Sequence, residues 1–276
     1  MTRSAKRFTI IIIYGILFLL FVGFIVALIT PNPSCTDGKK NQNEEGIDCG
    51  GPCTPCAQEI SGKDLVVKDT HIVYGGEGKD DVVADVHNPN ALYGAKKFYY
   101  TVEVLDNNDK VLARRDGENF ILPNENKYII EVGLETDQNP SRAVVTINDE
   151  DWVKFTQFDS PQILVKNQRF GLVENGTNYA EAFGLVSNES PYDFHNVTIY
   201  VILEDERGVP IAVNKTQMRT LDAGSQREFR LVWPHAFPGK ITSARMQANT
   251  NVFDSLNFMK KYLPSGRYEE FMETNG

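Results

Sequence analysis

FYYTVEVLDNNDK, residues 98–110, and VTIYVILEDERGV, residues 197–209, follow one pattern 99 residues apart. In the first, Phe98, Tyr100, Val102 and Val104 alternate with Tyr99, Thr101 and Glu103. In the second, Val197, Ile199, Val201 and Leu203 occupy the matching places. A period of two puts one set of side chains on one face of a strand. These two apolar sets are therefore expected to face inward, because a slip of one residue would turn all of them to solvent. Each strand runs into an acidic turn, Asp106-Asn107-Asn108-Asp109 or Asp205-Glu206-Arg207-Gly208, built of residues that reverse a chain.

Outward from these strands the same shift matches Leu122 with Leu221. It also matches Ile130, Val132 and Leu134 with Phe229, Leu231 and Trp233. An internal repeat of this size means two copies of one unit. The patterning predicts strands near 65–73, 81–88, 97–105, 110–115, 118–122, 127–134 and 142–148. In the second copy it predicts 163–172, 179–187, 196–204, 209–213, 216–221, 226–233 and 240–247. Short alternating strands separated by turns make a β-sandwich of immunoglobulin type. The expected fold is all-β: two tandem immunoglobulin-like β-sandwiches, residues 62–157 and 160–253, behind one N-terminal transmembrane helix. All four cysteines lie before residue 57, so both cores rest on aliphatic and aromatic packing. The short linker at residues 156–161 predicts sandwiches stacked end to end, which would hold the tail away from a membrane.

The membrane helix is read from FTIIIIYGILFLLFVGFIVALI, Phe8 to Ile29, which carries no charge. As a helix it would span about 33 Å, enough for a hydrocarbon core of about 30 Å. Arg3, Lys6 and Arg7 precede it, and no Lys or Arg follows until Lys39. That bias predicts a cytoplasmic tail at 1–7, an uncleaved signal anchor at 8–30, and everything later on the far side, periplasmic or extracellular. A cleaved signal peptide would end in small residues, but Val26-Ala27-Leu28-Ile29 is bulky.

Residues 31–61 form a Cys-rich module holding Cys35, Cys49, Cys53 and Cys56. An even, clustered set outside the membrane reads as disulfides, with three possible connectivities. Such a segment is too small and polar to bury a core, so a covalent or metallic staple is needed. Zinc held by four thiolates is the alternative, although only one C-x2-C knuckle is present. Asp37, Asn41, Asn43, Glu44 and Asp48 offer hard oxygens that could hold calcium, against the plain alternative of a solvated acidic loop.

The tail, 254–276, is expected to form a short helix on helical spacing of Leu256, Met259 and Leu263. Docking on the second sandwich is one reading. The other is a partner-binding peptide using Leu256, Met259, Tyr262, Tyr268 and Phe271.

Nucleic acid is an unfavourable partner, because the formal charge is −9 and the cations are scattered. The sequence has no G-x-S-x-G and no H-E-x-x-H, and His71, His87, His195 and His235 fit no ligand spacing. Gly75-Gly76-Glu77-Gly78-Lys79 lacks the phosphate-loop spacing and reads as a hairpin turn. Four N-x-[ST] sequons, at Asn175, Asn188, Asn196 and Asn214, all fall in the second copy. No enzyme and no cofactor beyond calcium is expected.

Two resemblances add to this. The pattern C-x-D-G-x2-N-x2-E-x3-D-C-G-G-x-C-x2-C, on Cys35, Asp37, Gly38, Asn41, Glu44, Asp48, Cys49, Gly50, Gly51, Cys53 and Cys56, resembles a short module of microbial surface proteins. It implies an extracellular setting. The repeats resemble FxLYD-type Ig-like domains of bacterial and archaeal surface proteins. The likeness lies in Val86-His87-Asn88 and Leu185-Val186-Ser187, in Leu105-Asp106 and Glu204-Asp205, and in a Leu and turn before an aromatic-containing strand. Asn88-Pro89-Asn90 is similar to the N-P-N of late-embryogenesis-abundant type-2 sandwiches. The resemblance of the repeats implies structural or adhesive work. The expected function is a membrane-anchored protein of the cell envelope or surface, presenting two domains to another envelope or surface protein. The alternative is an extracytoplasmic module binding calcium, glycan or peptide.

Overall fold

A computed structural model describes residues 12–22, 24–25, 35–36, 38, 40, 43–44, 47, 49, 51–53, 62–136, 139–174, 176–263, 268 and 271. The chain divides into two compact units, Met1–Glu59 and Ile60–Gly276.

In the first unit, residues 12–22 and 24–25 are helical. No helix among the described residues is long and apolar enough to cross a membrane. The expected cytoplasmic tail, and the anchor at 8–11, 23 and 26–30, lie outside the described residues.

Among its described residues the second unit is a repeat with twelve strands. The first copy holds β1 (Val66–Gly76), β2 (Lys79–His87), β3 (Tyr93–Leu105), β4 (Val111–Ile121), β5 (Asn126–Glu135) and β6 (Arg142–Lys154). The second holds β7 (Ile163–Leu172), β8 (Ala180–Asn188), β9 (Phe194–Glu204), β10 (Pro210–Leu221), β11 (Gln226–Trp233) and β12 (Ser243–Asn249). Each copy builds two antiparallel three-stranded sheets in the same order: β1-β2-β5 with β4-β3-β6, and β7-β8-β11 with β10-β9-β12. The first pair encloses Val82, Ala84, Val86, Phe98, Tyr100, Val102, Val104, Ile121 and Ile129, a sandwich-like core. The second encloses Val197, Ile199, Val201, Leu203, Phe229, Leu231 and Trp233. Both expected inward sets on β3 and β9 therefore face a core.

Among the described residues each copy has six strands rather than the expected seven. The segments 110–115 and 118–122 are one strand, and so are 209–213 and 216–221. Asp116-Gly117 looks like a turn but lies in the ladder, with Gly117 opposite Tyr100. A Cβ at Gly117 would run into the Tyr100 ring, so this glycine makes room rather than a reversal.

The acidic turns repeat atom for atom. The Asp106 carboxylate accepts from Asn108 N and Lys110 N, and the Asp205 carboxylate accepts from Arg207 N and Val209 N. These bonds hold both carboxyls below the usual range. A second device matches Asn88 to Asn188, not to Ser187. The Asn88 amide donates to Tyr93 O and Leu122 O; the Asn188 amide donates to Tyr192 O and Leu221 O. Each side-chain oxygen accepts the backbone N–H two residues on, at 3.0 Å. Both asparagines are fully buried, which is tolerable because both polar ends are used.

One residue of slippage decides how the copies meet. Ala84 pairs with Ile129, and Gly184 with Phe229, so the true match on these strands is 100 residues. A bulge at Val132-Gly133, with Gly133 at φ +65, absorbs the extra residue before Leu134 returns to the core. The buried Asp81 carboxylate accepts from Gly133 N at 2.7 Å. The expected match of Ile130 with Phe229 is therefore off by one. Ile129 fills the core, and Ile130 turns out of it.

Outward-facing Ile130, Val73 and Val83 meet Tyr200, Ile202 and Val213 of the second copy in a shared apolar layer. The two copies thus pack face to face, β1-β2-β5 against β10-β9-β12, and not end to end. The long run Ile199-Tyr200-Val201-Ile202-Leu203 is buried on both faces for this reason.

Candidate interaction surface

Four parts of the chain were candidates for function: the cysteine module, the tail, the seam between copies, and the sheet faces left open.

In the module, Cys35 and Cys53 form a disulfide. Cys49 is also disulfide-bonded, and Cys56 lies outside the described residues. Among the described residues the one cluster of metal-type donors is Cys35, Glu44 and Cys53. Its two sulfurs are bonded to each other, so neither is a thiolate, and the four-thiolate zinc alternative is lost. Of the calcium candidates, Asp37, Asn41 and Asp48 lie outside the described residues. Glu44 is buried with an Oε1 3.2 Å from the Cys53 sulfur, and the Asn43 backbone closes on Gly51.

The tail forms a 3-10 turn (Val252–Asp254) and helix α1 (Leu256–Tyr262). Of the expected partner-binding residues, Met259, Tyr262 and Phe271 are buried within the chain, and Tyr268 packs partly against the same cluster. Only Leu256 is exposed, at 48%. Phe158 meets the Phe258 ring edge-on and the Tyr262 ring at a tilt, Phe253 packs on Phe155, and Tyr262 O accepts from Thr156 N. The tail is thus a strap over the linker between the copies. Met259, Tyr262 and Phe271 are buried there, which leaves Leu256 as the exposed residue of the five.

The seam carries charge as well as carbon. Glu131 is buried; it accepts from Tyr100 OH at 2.7 Å and lies 3.4 Å from Arg115 and 3.3 Å from Lys215 of the second copy. Lys215 also donates to Ile130 O. Arg245 donates to Tyr128 OH, Gln247 to Asn126 O, and Asn249 to Glu125. Burial raises the Tyr100 hydroxyl far above its ordinary value, helped by the Glu131 carboxylate, and lifts Tyr200 to about 12. Burial also pushes Asp81 up to about 6.

Lys127 is a further buried group that patterning did not mark. Its ammonium is fully enclosed, 3.0 Å from the centre of the Phe120 ring and 3.6 Å from Glu125. Burial lowers it to about 8, against the pull of Glu125. A ring face and one distant carboxylate replace water only in part.

The open face lies on β7-β8-β11. Its counterpart β1-β2-β5 is covered by the second copy, but this sheet turns outward. Phe183 and Leu185 project from β8, half-buried, at the places matching Val83 and Asp85. Phe170 and Leu172, 38% and 60% exposed, line the β7 edge. Phe183, Leu185 and Gly171 line a shallow hollow of about 830 Å³ on the outer face, whereas Phe170 and Leu172 lie opposite Ala182 and Ala180 and so belong to the core side of the sheet. Arg230 lies over the Phe183 ring and pairs with Glu181 at 2.7 Å, while Arg169 and Glu228 rim the hollow. The other open face, on β4-β3-β6, is different: Thr101 and Glu103 stand where β9 has Tyr200 and Ile202, and Arg114 pairs with Glu103 and Asp116.

No protein-family model matches the chain, and no curated protein matches it. Among solved structures, the crystal structure of red sea bream transglutaminase aligns at 11% identity with a TM-score of 0.21. That alignment covers 68% of this chain and 29% of the transglutaminase, so the chain spans less than a third of it. The N-terminal CBM22-1–CBM22-2 tandem domain of Paenibacillus barcinonensis Xyn10C aligns at 10% identity, TM-score 0.12, over 69% of this chain and 87% of that one. The fold described above therefore rests on this chain's own strands and cores.

Proposed function

We propose that the chain is a membrane-anchored, extracytoplasmic interaction protein with two immunoglobulin-like domains, and that it is not an enzyme. The uncharged run Phe8–Ile29 behind Arg3, Lys6 and Arg7 supports the anchor and its orientation. The Cys35–Cys53 disulfide supports an oxidising compartment. The first copy and the seam act as a rigid base, and the second copy carries the binding face.

The observation that carries this reading is the asymmetry between two equivalent sheets. The outer face of β1-β2-β5 is spent on a neighbouring β-sheet, through Val73, Val83 and Ile130. The outer face of β7-β8-β11 keeps an aromatic and aliphatic centre, Phe183 and Leu185, within a charged rim of Arg169, Arg230, Glu181 and Glu228. An apolar centre inside a polar rim is the anatomy of a protein-docking surface. The occupant is a sheet face of another envelope protein, with carboxylates placed to meet Arg169.

A photo-crosslinking residue at Phe183, in native membranes, should give one adduct of defined mass, abolished by Leu185→Asp. The same residue at Thr101, on the polar face, should give none. Equal capture from both positions, or an adduct that survives Leu185→Asp, would refute the assignment of the face. External protease should degrade residues from Cys35 onward in intact cells, or in spheroplasts if an outer membrane is present; protection would reverse the orientation.

A further inference from the structure

We infer that Asn196 is the attachment point of an N-linked glycan, and that the folded second copy excludes Asn188 and Asn214 from that role; this rests on the extracytoplasmic reading. A sequon needs an asparagine whose amide nitrogen can leave the protein and meet a sugar donor. Asn188 fails that test. It is fully buried, its amide is committed to Tyr192 O and Leu221 O, and its oxygen accepts from both Ser190 N and Ser190 Oγ. The sequon serine is itself buried. A saccharide there would displace the bonds that join β8 to the β10–β11 turn. Asn214 is half-buried within β10, donates its amide to Val232 O at 3.0 Å, and holds Lys215 N with its oxygen. Asn175 lies outside the described residues.

Asn196 differs in each respect. Its residue is exposed, between His195 and the buried Val197 that anchors the strand. Its φ of +56 bends β9 locally, a conformation asparagine tolerates better than most residues. The β12 ladder ends at Thr198–Asn249, so no strand lies alongside Asn196 on that edge. Asn196-Val197-Thr198 carries the threonine form of the sequon. β9 belongs to the sheet opposite the open face of β7-β8-β11, so a glycan here leaves Phe183 and Leu185 uncovered. The donor is a saccharide linked through phosphate to a polyprenyl lipid, acted on by a membrane transferase. Asn196 Nδ2 forms a C–N bond to the anomeric carbon, the C–O bond to phosphate breaks with its electron pair going to the phosphate, and one amide proton passes to a base of the transferase.

The test is peptide mass spectrometry, without reduction, on the chain purified from its own membranes. The peptide containing Asn196 should carry a saccharide mass, and the peptides containing Asn188 and Asn214 should be bare. Asn196→Gln and Thr198→Ala should each remove that mass from the intact chain while leaving its thermal unfolding cooperative. A bare Asn196 beside an oxidised Cys35–Cys53 pair overturns the glycan and leaves the compartment intact. A bare Asn196 beside free thiols overturns both. Saccharide on Asn188 or Asn214 overturns the structural exclusion.

Discussion

Ile202→Ala tests whether the two copies are one folding unit. Ile202 faces away from its own core yet is fully buried, against Val73, Val83 and Ile130 of the first copy. The change removes roughly three carbons at ~0.8 kcal/mol each, plus a cavity, for a cost of about 2–4 kcal/mol. Glu103, the matching position in the first copy, is half-exposed and holds Arg114 at 3.4 Å, so Glu103→Ala should cost under about 0.5 kcal/mol. The two tryptophans give one probe per copy: Trp152 packs on the first core and Trp233 lies in the second. Urea unfolding of single-tryptophan variants, in detergent, reads each copy separately. Ile202→Ala should lower the midpoint seen by Trp152 as well as that seen by Trp233, because both copies lose the same contacts. The reasoning fails if Ile202→Ala behaves like Glu103→Ala, or if only the Trp233 transition moves.

Val102→Asp and Val201→Asp each bury an unpaired charge and should cost several kcal/mol, whereas Thr101→Asp, on the open face, should cost far less; circular dichroism melts would show equal losses if the alternation were misread. Lys127 binds its proton less tightly folded (about 8) than unfolded (10.5), so stability should rise with pH between those values as the buried charge is lost. Lys127→Met should abolish that rise, and urea midpoints at pH 7 and pH 10 that move equally in both proteins would count against the buried ammonium. Unreduced proteolysis should release peptides containing Cys35 and Cys53 as one cross-linked species that separates on reduction; alkylation of Cys35 without reductant would contradict the bond.

Period-two alternation alone placed Val102 and Val201 inside, because a strand offers only two faces and one must leave water. The acidic turns were equally legible, since an Asp carboxylate binds backbone N–H groups within its own few residues. Local chemistry also marked the cysteines as a cross-linked set, while their pairing needed coordinates, because many folds of a loop satisfy one spacing. Tertiary structure decided everything that depends on a second surface. Gly117 reads as a turn until the Tyr100 ring is seen against it. The bulge at Gly133 shifts the register by one and turns Ile130 toward the other copy, which no repeat alignment at constant offset can reveal. Tyr200 and Ile202 were visible as an unbroken apolar run, but what covers an outward face is set by its partner sheet. The same holds for the tail, whose helical spacing announces an apolar stripe and not whether Met259 and Tyr262 bury it against their own chain or another. Asn188 and Asn196 share one three-residue signature; only the packing around each separates a buried clamp from an open amide.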